Sequence, residues 1–295
     1  MTDSMDILNI IENKMVGLSK GQKRIANFLM EHYDQGVYLT AAKLGEIAGV
    51  SESTVVRFAI ELGFDGYPKM QRALEELVKN KLTASQRMRV SSERINRSDK
   101  HILDSVLHSD SDRIFSTLNE IDKSAFDDAV EKILNAKKIY VVGGRSSAPL
   151  SSFLAFYLNF MVDNVVNVNS NTATEVFEGI FRIDKDDVFI GISFPRYSQR
   201  TVKAMEYAFS RQATTIALTD SKRSPLAQYA TNLLVSRSDM LGFVDSLVAP
   251  LSVINALLVA VSMNKQDELE QGLDKLERLW NEYQVYASHL PKKYL

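Results

Sequence analysis

The spacing of apolar residues changes period along this chain, and the change divides it. Between Thr40 and Gly63, in TAAKLGEIAGVSESTVVRFAIELG, the residues Leu44, Ile47 and Ala48, then Val55, Phe58, Ala59 and Leu62, recur at helical intervals. Thr40 and Ser51 are natural N-caps, and Gly49 and Gly63 stand where helices stop. The pattern predicts two short helices joined by a tight turn and sharing one small core, a helix-turn-helix whose second helix fits a DNA major groove. Upstream, Ile25, Phe28 and Leu29 predict a supporting helix from about Lys20 to Tyr33. Downstream, Pro68 opens a helix, PKMQRALEELVKNKL, at its first position, with Met70, Leu74 and Leu77 turned inward.

The stretch from Ala84 to Lys100, ASQRMRVSSERINRSDK, is polar and Ser-rich, and reads as an interdomain linker or a loosely helical arm. Helical spacing resumes at Ile102, with Val106, Ile114, Leu118 and Ile121 on one side. Beyond Phe126 helices alternate with short strands rich in β-branched and aliphatic residues: Lys138 to Val142, Val165 to Val168, Asp187 to Ser193, Thr214 to Leu218 and Thr231 to Val235. This alternation predicts a parallel sheet covered on both faces, with ligands binding at the carboxyl ends of the strands near a topological switch point. The apolar run from Val244 to Met263 contains Asp245, Ser246, Pro250, Ser252 and Asn255, so it predicts a buried core helix rather than a membrane span. At the C-terminus Leu269, Leu273, Leu276, Trp280 and Tyr283 form a coiled-coil-like stripe, either packed on its own domain or part of a subunit interface. The expected organisation is a helical domain over 1–83, a linker over 84–115, an α/β domain over 116–264 and a C-terminal helix over 265–295.

Composition fits this division. At 295 residues and 45% hydrophobic, the chain suits two domains. It has no cysteine, which excludes disulfides, thiolate zinc sites and a cysteine nucleophile, and fits a reducing, cytoplasmic setting. The opening MTDSMDILNIIENK does not have the pattern of a secretory signal. His32, His101, His108 and His289 are scattered without metal-ligand spacing, and no metal or other cofactor is expected. The net charge of -2 argues against a broad basic field, but Lys20, Lys23, Arg24, Lys43, Arg57, Lys69 and Arg72 are concentrated in the N-terminal region. A discrete DNA contact surface on a dimer is expected, with affinity that falls as salt rises.

Two sets of side chains carry candidate chemistry. On the second helix of the hairpin, Ser51, Glu52, Ser53, Thr54 and Arg57 occupy the N-terminal half, with Lys43 on the first helix. Arginine bonds guanine in bidentate fashion, while hydroxyls and first-turn N–H groups suit phosphate oxygens. Glu52 is placed either to accept from cytosine or to favour the positive end of the helix. The alternative is a helical hairpin with a solvated polar face. In the α/β region two hydroxyl-rich loops follow strands: Gly143-Gly144-Arg145-Ser146-Ser147, and Ser193 to Thr201 with Arg196, Ser198 and Arg200. Glycines admit a close backbone approach, and hydroxyls with helix N-termini suit a phosphate; any single serine there also serves as an N-cap. Neither G-x-G-x-x-G nor G-x-x-x-x-G-K-S/T is present, which leaves dinucleotide and NTPase readings without support.

Four segments carry a resemblance: LSKGQKRIANFL, IAGVSESTVVRFAIELGFDGYP, KKIYVVGGRSSAPL and VFIGISFPRYSQRT. Over most of its length the chain resembles the RpiR family of bacterial transcriptional regulators, which join an N-terminal helix-turn-helix domain to a C-terminal sugar isomerase (SIS) domain. The resemblance implies an α/β/α sandwich with a five-stranded parallel sheet in the second domain. It also implies a homodimer or homotetramer that binds double-stranded operator DNA and, through the SIS domain, a sugar-phosphate effector, with no membrane association. Carried over by position, Ser146 and Ser147, with Gly144 and Arg145, match the first phosphate loop, and Ser193 and Ser198 match the ends of the second. Pro195 and Arg196 stand where a hydroxyl and a glycine are usual, so Arg196 is expected to supply a charge-assisted contact, with Thr201 one helical turn beyond Ser198. The alternative activity is sugar-phosphate isomerisation with Glu175 as general base, against which stands the reading of Glu175 as an exposed first-turn glutamate.

Overall fold

The computed structural model describes residues 7–81, 101–170, 172–239 and 244–285. Residues 84–100 of the expected linker 84–115 and the last part of the expected C-terminal helix, 286–295, lie outside them, while 102–115 are helical. The described residues divide into two compact units, 7–106 with 244–245, and 107–239 with 246–285.

The first unit contains α1 (Ile7–Lys14), α2 (Lys20–Glu31), α3 (Tyr33–Gly36), α4 (Ala41–Ala48), α5 (Glu52–Glu61) and α6 (Tyr67–Lys81). Each apolar stripe feeds one core: Ile7 and Ile11, Ile25 and Leu29, Leu44, Val55 and Phe58, Met70 and Leu74 are all buried. Helix α1 was not among the elements expected from the sequence. An eight-residue helix is marginal alone, and α1 is held by burying Ile7 and Ile11 against its neighbours. The supporting helix is shorter than expected. It closes at His32, whose backbone leaves the helical region, and its start carries a capping box between Ser19 and Gln22. Helix α6 opens one residue before Pro68.

The expected hairpin corresponds to α4 and α5. Thr40 accepts from the Lys43 amide and Ser51 from the Thr54 amide, while Gly49 ends α4 in the left-handed region at φ 64°. The turn rests on Gly45, since a Cβ there would lie 2.8 Å from the Val50 carbonyl oxygen. Ile47 departs from expectation and is 47% exposed. The inward side of α4 is set by Ala41, Leu44, Gly45 and Ala48, and at 100° per residue Ile47 points well to the side of that stripe.

The second unit holds most of α7 (Ile102–Glu120), then α8 (Lys123–Asn135), β1 (Ile139–Gly143), α9 (Ala148–Leu158), β2 (Val165–Asn167), α10 (Ala173–Ile180), β3 (Val188–Ile192), α11 (Gln199–Ser210), β4 (Thr214–Thr219), β5 (Asn232–Val235), α12 (Val248–Asn264) and α13 (Gln266–Glu282). The five strands are parallel in the order β2-β1-β3-β4-β5. Ile139 and Val141 face α8, α9 and α12, while Tyr140 and Val142 face α10 and α11. This is the three-layer sandwich that the strand pattern predicts. The apolar run after Val244 is the core helix α12, buried through Val253, Ile254, Leu257 and Val261. Helix α13 carries the C-terminal stripe but buries none of its residues, leaving Leu273 and Tyr283 exposed. In α7 the expected apolar side holds only in part: Val106 and Ile121 are half-buried, but Ile114 and Leu118 are exposed, and Arg113 and Thr117 are buried. Thr117 accepts from the Arg237 amide after β5, and Arg113 pairs with Asp110.

Replacing Gly45 by alanine drives a methyl group into backbone rather than into a movable side chain. The expected cost is about 1–3 kcal/mol of unfolding free energy, read by urea denaturation. An unchanged midpoint and slope would contradict the close approach inferred for this turn.

Candidate functional site

The first candidate surface is the exposed edge of the α4–α5 turn. Ser51, Glu52, Ser53 and Arg57 are exposed, with Thr54 partly so. The Ser51 hydroxyl lies 2.9 Å from both the Ser53 and Thr54 hydroxyls, which gathers three of the expected residues at the start of α5. Arg57 folds back along its helix, donating to the Ser53 carbonyl at 3.3 Å and the Ser53 hydroxyl at 3.4 Å. These exposed bonds are weak enough in water to be exchanged for a stronger acceptor. Lys43 pairs with Glu46 on α4 at 2.8 Å and has no recorded bond to the α5 group. Arg24, read from the sequence as local basic charge, holds the fold together instead. Its guanidinium donates to the Gly49 carbonyl at 2.8 Å and ties α2 to the turn.

The second candidate site follows from the strand order. The chain leaves β1 for the edge strand β2, then returns to β3 on the other side, so the loops after β1 and β3 part company at a switch point. Gly143 is opposite Ile192, which sets Gly144 beside Ser193 at the strand ends. The two loops touch: a Cβ on Gly144 would lie 2.5 Å from Ser198 Oγ, 2.9 Å from Ser198 Cβ and 3.3 Å from Thr201 Oγ1.

Within these loops the hydroxyls differ in role. Ser193 Oγ accepts from the Ser198 amide at 3.1 Å, and Ser198 Oγ caps α11 by accepting from the Thr201 amide at 3.4 Å. Thr201 is 1% exposed, and its hydroxyl has no partner. Ser147 is buried and Ser146 exposed. Arg145 and Arg196 are both exposed and both lie in the left-handed region, at φ 57° and 62°, one in each loop. Such a backbone persists only where surrounding structure fixes it, and here it turns two arginines outward from matching strand ends. Position 196 thus supplies with an arginine the kind of turn for which glycine is ordinarily preferred.

Glu175 is exposed in the first turn of α10, whose N-cap is Thr172. The Ser170 hydroxyl donates to its carboxylate. Arg200 on α11 donates to the Ser170 carbonyl at 3.1 Å, so this corner is joined to the second loop through the backbone at Ser170. Two further contacts have no signal in the sequence. Tyr197 donates to Asp220 at 2.8 Å, and Asn167 donates to Ser152 at 3.0 Å. Among the described residues no cluster of histidines and carboxylates is suited to a metal ion.

Comparison with known proteins accounts for both units. The model of the rpiR-family helix-turn-helix domain matches residues 5–81, and that of the SIS domain matches residues 132–260. The chain belongs to the rpiR family. Among relatives of this rpiR protein is the HTH-type transcriptional regulator HexR of Escherichia coli (strain K12), 26% identical over 290 residues, covering 94% of this chain and 95% of that protein. The sugar isomerase domain of an RpiR transcription factor from Sphaerobacter thermophilus is 30% identical, with a TM-score of 0.56, over 61% of this chain and 99% of that one. The Vibrio vulnificus NanR protein complexed with ManNAc-6P has the same overall fold, with a TM-score of 0.59 at 20% identity, over 96% of this chain and 100% of that one. The protein is therefore a helix-turn-helix transcriptional regulator with a SIS domain.

The contact between the rpiR protein's two SIS loops has a measurable energy. Gly144→Ala is expected to cost about 1–3 kcal/mol of stability, and combining it with Ser198→Gly should restore at least about 0.5 kcal/mol relative to additivity. Strict additivity in a double-mutant cycle of thermal or urea denaturation would separate the loops.

Proposed function

We propose that this regulator binds operator DNA through the start of α5 and a sugar phosphate at the loops after β1 and β3, and that the second event alters the first. The observation that carries the effector site is the meeting of Gly144 with Ser198 and Thr201 at the switch point, beside the unpartnered buried hydroxyl of Thr201. A phosphate placed there is met by hydroxyls, by amides at the start of α11 and by Arg145 and Arg196, a donor-rich and positively charged setting. On the DNA side Arg57 reads a base edge, and Ser51, Ser53 and Thr54 contact backbone phosphate. Glu52 and Lys43 tune the local charge. The regulator acts in the cytoplasm, where its operator lies, and the SIS domain serves as a sensor and not as an isomerase.

Isomerisation needs a base poised over the sugar carbons. Glu175 instead lies in the first turn of α10, near its positive end, and accepts from Ser170, which favours the structural role for it. The active form is a homo-oligomer, since two recognition helices can then address half-sites about one DNA turn apart. Support for assembly comes from the exposed apolar residues Leu103, Leu107, Ile114 and Leu118 of α7, which recur on one side of the helix. Among the described residues no single helix is long and apolar enough to cross a membrane.

Fluorescence anisotropy with DNA upstream of the gene and its neighbours, against scrambled DNA at fixed salt, tests the DNA assignment. Arg57→Ala should cost about 1–3 kcal/mol, roughly 5- to 150-fold in affinity, with the fold intact. Unchanged affinity would remove Arg57 from the reading face. Calorimetric titration with a panel of sugar phosphates tests the other site: Ser193→Ala should weaken binding by about 0.5–3 kcal/mol and leave ligand-free DNA affinity alone. Lost DNA binding with normal ligand affinity would reverse the two assignments.

A further inference from the structure

The loop after β3 has one strong contact that phosphate recognition does not use. Tyr197 lies between Arg196 and Ser198, and its hydroxyl is turned to the Asp220 carboxylate at 2.8 Å. Asp220 follows β4 and is 8% exposed, and Thr219 Oγ1 donates to the same carboxylate oxygen at 3.4 Å. Thr219 is opposite Val235 in β5, and the Ser236 amide donates to the Thr219 carbonyl at 2.8 Å, so Asp220 stands at the strand ends level with Ser236, one residue before Arg237, whose charge feels its field.

Arg237 is the link onward. Its backbone amide donates to Thr117 Oγ1 at 2.9 Å, and its guanidinium donates to Glu120 at 2.5 Å. Burial opposes its charge, but the hydrogen bond to Glu120 and the fields of Glu120, Asp239 and Asp220 outweigh that and push its pKa up. Thr117 and Glu120 both belong to the last turn of α7. A second group of polar bonds holds the middle of that helix: Asp110 accepts from Arg113 at 3.0 Å and from Ser246 at 2.6 Å.

Helix α7 is thus docked on its own unit largely by directional polar bonds, while Leu107, Ile114, Phe115 and Leu118 remain exposed. A helix held in this way has a small apolar contribution to keep it seated, and loss of one or two bonds changes how firmly it sits. It is also the first described element after residues 82–100.

We infer that Tyr197, Asp220 and Arg237 couple the loop after β3 to the seating of α7, with Tyr197 as a positioning residue and not a ligand contact. The inference deepens the proposed function and uses its effector site, but the route can be tested without any ligand. A coupling claim needs an element whose equilibrium both ends bias, and α7 is that element.

The experiment is hydrogen–deuterium exchange on the full-length chain, wild type against Tyr197→Phe, first without ligand and then with millimolar inorganic phosphate as the probe. Without ligand, Tyr197→Phe should speed amide exchange over residues 114–120 by about threefold or more, with α9 unchanged as an internal control. Altered exchange at 193–198 with none at 114–120, or no change in either region, would overturn the route. With phosphate, the wild type should gain protection at both 193–198 and 114–120, and the variant only at 193–198. Equal protection of 114–120 in both proteins would also overturn it. If phosphate protects neither region of the wild type, the effector site fails, and the ligand-free comparison still decides the route.

Discussion

The parallel pairing of β1 with β3 is the constraint on which the SIS half of this protein depends. Because the chain visits the edge strand β2 before returning to β3, the two loops that follow these strands leave the sheet on opposite faces but start side by side. Gly144 allows them to touch at Ser198 and Thr201, where any side chain at position 144 would separate them. The hydroxyls of Ser193, Ser198 and Thr201 and the start of α11 gather there, with one exposed arginine in a left-handed turn on each loop. The sheet fixes where the two loops begin.

A similar economy governs the DNA-reading half. Gly45 lets the turn lie against α4, and Arg24 reaches from α2 to hold the Gly49 carbonyl. The orientation of α5 therefore rests on backbone contacts that its own outer residues do not share. Ser53, Thr54 and Arg57 lie outside the core, which Val55, Phe58 and Ala59 already satisfy, while Ser51 caps the helix.

Much of this is legible in the sequence because the signals are local. The five strands lie within a residue or so of the apolar runs that predict them, both hairpin helices start at the capping residues read from the chain, and α4 stops at Gly49 while α5 closes at Leu62, one residue before Gly63. The loops carrying Ser147, Ser193 and Ser198 stand out as glycine and hydroxyl clusters at strand ends. Contacts that join distant residues are not legible. Tyr197 meets Asp220 across 23 positions, and Arg237 meets Thr117 across 120, and no periodicity encodes either bond. The displaced face of α7 has the same origin: its apolar spacing suggests an inward Ile114 and Leu118, but Thr117 bonds the Arg237 amide after β5 and Arg113 pairs with Asp110, and these two polar side chains are buried instead. Ile47 departs from its expected place for a simpler reason, since an eight-residue helix offers too few turns for its apolar residues to define one side unambiguously.

If the two units share one conformational equilibrium, linkage gives that coupling a strict test. Whatever factor a sugar phosphate imposes on operator affinity, the operator must impose on sugar-phosphate affinity. Calorimetric titration of the effector into the protein, alone and saturated with operator DNA, measures the second factor directly. Coupling predicts a shift in effector affinity of the same size as the shift seen in DNA binding, typically about 5- to 150-fold. Equal effector affinity in the presence and absence of operator would contradict it and leave two binding units on one chain with no regulatory connection between them.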